Sequence, residues 1–65
     1  MGGGLKRYIA ENSLDIAKVS TLSGISISDL NSIINQEREI DIIELYFLSR
    51  VFDVSVDYLY SKVVV

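Results

Sequence analysis

An all-α fold of five short helices is what this sequence predicts, with a helix-turn-helix at its second and third positions. Three observations carry it. Apolar residues recur at helical spacing in separate short stretches. The stretches are divided by Gly24, by Asn12 with Ser13, by the charged segment 36–39, and by Asp53 with Ser55, residues suited to stopping one helix or capping the next. The chain has no proline, which fits helices joined by tight turns.

The first helix is expected over residues 5–12, where Leu5, Tyr8 and Ile9 fall at i, i+3 and i+4 and Lys6 and Arg7 lie off that stripe. Asn12 and Ser13 are poor interior helix residues and end it. The second helix is expected over 15–23, with Ser13 or Asp15 as its cap, Val19 and Leu22 inward, and Ala17 and Ser20 small enough for close packing. Gly24 can take the left-handed conformation that stops this helix, and Ser26 or Ser28 can cap the next. The third helix is expected over 28–35. Leu30, Ile33 and Ile34 form its apolar side, and Ser28, Asp29, Asn31 and Ser32 its polar side. A helix, a short turn containing glycine and a second helix make the layout in which the second helix can enter a DNA major groove.

Residues 36–39 read as a charged loop without an apolar anchor. Asp41 is placed to cap a fourth helix running to about Phe52. Ile43, Phe47, Leu48, Val51 and Phe52 are expected on its buried face, and Glu44, Ser49 and Arg50 toward water. Ser55 caps a last short helix over 56–60, with Asp57 near its positive end and Val56 and Leu59 inward. The β-branched run 63–65 forms helix poorly and reads as a frayed end, a strand paired with another chain, or the edge of a longer protein. The expected organisation is a flexible lead over 1–4, since consecutive glycines are entropically costly to order, one domain over 5–61, and a tail over 62–65.

Composition removes several function classes. The 65 residues include no Cys and no His, so disulfides, thiolate metal sites and His-based catalysis are excluded. The serines have no activating base in a recognisable arrangement, and no enzyme activity, cofactor, metal site or small-molecule substrate is expected. The carboxylates Glu37, Glu39, Asp41 and Glu44 read as a hydrated surface. Six Lys and Arg against nine Asp and Glu give a net charge of −3, whereas dedicated nucleic-acid binders tend to be basic. No apolar run approaches the ~20 residues that span a membrane, and no signal-peptide pattern is present, so the cytoplasm is the expected compartment.

Three pieces of the chain, covering nearly all of it, resemble the lambda-repressor-like family of the Cro/C1 or XRE type. Val19-Ser20 followed by Gly24-Ile25-Ser26 is similar to that family's Leu-Ala, three residues, Gly-Val-Ser. Leu30 and Ile33 match the inward pair of its third helix. Residues 52–59, FDVSVDYL, look like its closing Leu-Gly-Val-Ser-Xaa-Asp-Xaa-Leu. The resemblance implies a transcriptional regulator, repressor-like, that binds double-stranded DNA sequence-specifically as a homodimer. Four departures stand out. Ile16 replaces a phosphate-touching Gln at the front of the second helix. Ile27, Ser28 and Asp29 replace polar or basic residues at the front of the third. Ile9 and Ile34 stand where the family pairs Arg with Glu, an exchange that is often neutral or stabilising. Asp53 stands where Gly is usual, and Asp tolerates the left-handed conformation better than most residues.

The candidate DNA-binding residues are Ser26, Ile27, Ser28, Asp29, Asn31 and Ser32 around the third helix, with Lys18 and Arg38 as supporting cations and Arg50 also within reach. Asn can bond adenine bidentately, Asp can accept from cytosine N4, and Ser can contact bases or phosphates. The opposing features are Asp15 and Asp29 at helix starts that should meet a polyanion, Glu37 and Glu39 around Arg38, and a third helix without Arg or Lys. They support the alternative of a helix-turn-helix module that acts through protein–protein contact. Tyr46, Tyr58 and Tyr60 read as covers for the core or a dimer contact, and Tyr58, Tyr60 and the 63–65 run motivate the dimer.

Overall fold

The structure is a computed structural model that describes residues 4–64. The expected lead at Met1, Gly2 and Gly3 and the last residue, Val65, lie outside the described residues. Five helices follow in order: α1 Gly4–Glu11, α2 Ile16–Ser23, α3 Ile27–Ile34, α4 Ile42–Phe52 and α5 Val56–Val63. No strand occurs among the described residues. α1 packs on α3 and α5, α2 on α3 and α4, and α4 on α5. One core results, built from Leu5, Val19, Ile25, Leu30, Ile33, Leu45, Leu48 and Leu59. Leu30, Leu45, Leu48 and Leu59 are fully buried. Ile9 and Ile34 are both half-buried against this core, as an apolar replacement for an ion pair requires.

Side-chain caps set the helix starts. Asp15 accepts from the Ala17 N–H at 2.9 Å and opens α2, so Asp15 and not Ser13 is its cap. Ser26 accepts from the Asp29 N–H at 3.0 Å and opens α3, one residue ahead of the start expected at Ser28. Asp41 and Ser55 open α4 and α5 as expected, and Asp41 forms a reciprocal capping box with Glu44. The helix ends share a device that Gly24 and Asp53 announced and Ser13 and Gln36 did not. α2 stops at Gly24, with φ 79° and its N–H donating to the Ser20 carbonyl at 2.9 Å. α1, α3 and α4 stop at Ser13, Gln36 and Asp53, with φ of 53°, 62° and 59°. In each of these three the left-handed residue and its successor donate back into the last helical turn. The bonds are Ser13 to Ala10 and Leu14 to Ile9, Gln36 to Ile33 and Glu37 to Ser32, and Asp53 to Arg50 and Val54 to Ser49. This is the Schellman arrangement, built on residues with a Cβ.

Several expectations change. Gly4 is not part of a flexible lead but the first residue of α1. A Cβ there would collide with the backbone of Val63, so glycine permits the close approach of α1 to the end of α5. Through that contact Val63 is helical and half-buried, and α5 runs past Tyr60 despite its β-branched residues. Leu22 points outward and Ser23 takes the buried position. Ala17 is exposed. α4 is rotated from the expected phase: Leu45, Leu48 and Ser49 are buried, while Ile43 and Phe47 are exposed. Ser49 tolerates burial because its hydroxyl donates to the Tyr46 carbonyl at 2.7 Å.

Candidate nucleic-acid interface

The turn between α2 and α3 is held by more than Gly24. The Ser20 hydroxyl donates to the Ile25 carbonyl at 2.6 Å, and the Ile25 N–H donates to Ser23 Oγ at 3.1 Å. Ile25 itself is buried in the core. Two serines and one isoleucine thus fix where α3 leaves the turn, and Leu30 and Ile33 fix which side it turns outward. The outward side carries Ile27, Ser28, Asp29 and Asn31, all exposed, with Ser32 half-buried at its margin. Ser26 is exposed too, but its hydroxyl is engaged as the cap of α3. The face is therefore short, polar and without a cation.

Arg38 is the cation brought closest to this face, and it is held by carboxylates. Its guanidinium forms a bidentate pair with Glu44, Nη1 to Oε1 at 2.8 Å and Nη2 to Oε2 at 2.6 Å. Nη1 also donates to the Glu39 carbonyl at 3.1 Å, and Nη2 lies 3.8 Å from Asp29 Oδ1. Glu44 is tied down from the other side, since its Oε1 accepts from the Asp41 N–H at 3.1 Å. The Glu44 side chain is 14% exposed, so the residue expected to face water is instead the anchor of the charged loop. The Arg38 hydrogen bonds hold its carboxyl below the ordinary value against the opposing effect of burial, and the same bonds raise the Arg38 pKa. A planar fork on a carboxylate is a directional contact and not a loosely placed charge. The Asp-x-x-Glu spacing of residues 41–44 was the signal in the sequence for half of this arrangement.

The other candidate cations sit apart from this cluster. Lys18 is exposed on α2 and lines a groove of about 360 Å³ with Tyr8, Asn12, Asp15, Leu22, Val51 and Phe52 among its walls. Tyr8 and Phe52 stack there with centroids 5.1 Å apart, and burial pushes the Tyr8 phenol up. Arg50 donates to the Tyr46 hydroxyl at 3.0 Å and lies over that ring, 5.8 Å from its centroid. The structure thus brings Asp29 and Arg38 together, while Lys18 is exposed on α2 outside that cluster.

A family model described as helix-turn-helix matches residues 5–59. No curated protein and no solved structure matches the chain. No helix among the described residues is long and apolar enough to cross a membrane. The match covers the five helices except for Gly4 of α1 and the last four residues of α5, and it includes the capped turn and the outward face of α3 just described. The chain belongs to the Cro/C1-type helix-turn-helix family, the XRE family of DNA-binding regulators.

Proposed function

We propose that this chain is a sequence-specific transcriptional regulator, repressor-like and cytoplasmic, that lays α3 in the major groove of double-stranded DNA as a homodimer. The observation that carries the reading is the rigidly presented outward face of α3, with Ser28, Asp29 and Asn31 exposed on a helix fixed by the Gly24 turn and the Ser26 cap. Asn31 is the base reader, with an adenine edge as its natural partner. Ser26, Ser28 and Ser32 contact phosphate or base edges. Ile27 offers an apolar contact suited to a thymine methyl, and Lys18 supplies a phosphate contact. Two such helices would lie about 34 Å apart on successive grooves. Arg38 takes a positioning role, holding the loop to α4 through Glu44.

Duplex pools titrated at low and moderate salt test the reading. Binding with a sequence preference that Asn31→Ala alters is the expected result. Absence of binding even at low salt would overturn it.

A second reading is favoured by one observation: the cation nearest the face is engaged by Glu44 and neighbours Asp29. In that reading α3 meets a protein surface, and Asp29→Ala leaves DNA affinity at zero while weakening the protein contact.

A further inference from the structure

We propose that the outward side of α4, extended by Leu22 of α2, is a surface on which two copies of this chain pair with their α4 helices antiparallel. Ile42, Ile43, Tyr46 and Phe47 are 67%, 62%, 46% and 44% exposed, and Leu22 is 60% exposed. Ile43, Tyr46, Phe47 and Arg50 share one stripe of the helix by their i, i+3, i+4 and i+7 spacing. Leu22 adds apolar area beyond the C-terminal end of the helix, where it lines a groove with Val51 and Phe52. Tyr46 and Phe47 already touch, with centroids 6.0 Å apart. Together the five side chains expose roughly 500 Å² of mostly apolar surface, the size of the largest patch on an ordinary monomer. A standard interface takes about 800 Å² from each partner, and a homodimer interface is about 65% apolar, so the patch matches the apolar part of one such interface.

Charge selects the occupant. The stripe carries one cation, Arg50, at its C-terminal end, and Glu39 and Asp41 lie exposed just ahead of its N-terminal end. An antiparallel two-fold pairing centred on Tyr46 and Phe47 sets Arg50 of each copy beside Ile43 of the other and toward its Glu39 and Asp41. Each Arg50 then meets an acidic end, the exposed α4 cap Asp53 beside it adds a like charge at that end, and the helix dipoles oppose. A parallel pairing would set Arg50 against Arg50. The surface is thus self-complementary in one orientation, and the pairing requires no DNA.

Sedimentation equilibrium of the chain without DNA, from micromolar to millimolar concentration, tests this. The expected result is a dimer that Ile43→Glu and Phe47→Glu each weaken at least tenfold. Arg50→Glu is expected to weaken it severalfold, and Arg50→Glu combined with Glu39→Arg to restore it. These side chains are exposed, so circular dichroism should show each variant folded. A monomer at millimolar concentration would overturn the proposal. So would a dimer that survives Ile43→Glu and Phe47→Glu but is lost with Tyr58→Glu or Tyr60→Glu, because α5 would then be the interface. Loss of self-association with DNA affinity for single half-sites intact would separate this proposal from the reading of α3.

Discussion

The outer faces of α3 and α4 have opposite chemistry on one small scaffold. α3 shows water Ser28, Asp29 and Asn31, with Ile27 at its first position; α4 shows Ile42, Ile43, Tyr46 and Phe47 with Arg50. Both helices anchor the same core through fully buried leucines, Leu30 in α3 and Leu45 and Leu48 in α4. The inner halves are interchangeable in kind and the outer halves are not, so the outer halves are where a function beyond folding is written. The polar face suits directional contacts to a hydrogen-bonding surface, and the apolar face suits area-driven association.

Perturbing inner sides should erase the comparison altogether. Leu30→Ala and Leu45→Ala should each cost about 2–5 kcal/mol, while Asn31→Ala and Ile43→Ser should stay within about 0.5 kcal/mol, as urea denaturation would read. Detaching the loop that joins the two helices should have the next largest effect. Asp41→Ala removes the α4 cap and should cost about 1 kcal/mol, with Glu44 losing one side of its support. Changing the charge on the α3 face should move affinity and leave stability unchanged. Asp29→Asn should tighten binding to all duplexes severalfold at low salt, an increase that shrinks as salt is added. A tightening confined to one sequence would instead make Asp29 a base reader.

The smallest effect concerns pH. The Glu44 carboxyl is held below its ordinary value chiefly by the Arg38 hydrogen bonds. A carboxyl whose folded pKa is depressed adds stability that is present above its unfolded value, about 4.3, and is lost as pH falls through the lower folded value. Urea midpoints should therefore fall below pH 4, and Glu44→Gln should flatten part of that fall.

The existence of five helices was legible in the sequence, and so were the starts of α4 and α5, because caps are local chemistry that a few neighbouring residues declare. The phase of α4 was not. Eight of the eleven residues in IIELYFLSRVF are apolar, so no single stripe stands out, and the polar residues mislead. Glu44 and Ser49 are turned inward because Arg38 and the Tyr46 carbonyl meet them there. The left-handed residues at Ser13 and Gln36 were hidden, since neither advertises positive φ as glycine does, whereas Asp53 stands where the family usually has Gly. On the candidate site, the exposure of Asn31 and Ser28 followed from the inward pair Leu30 and Ile33. The capture of Arg38 did not, because its partner lies six residues away across a turn.

The contact between Gly4 and Val63 makes the described chain a nearly closed ring. Both of its ends leave from one pole, and that pole borders a cavity shared with Gln36, Glu37, Arg38, Glu39 and Ile40. A short Gly/Ser bridge from Val64 to Gly4 should therefore close the ring, and a circular permutant opened in a surface turn should keep the five-helix packing. Anything tethered at either end starts beside the Arg38 loop, and so within reach of the junction between the polar and apolar faces.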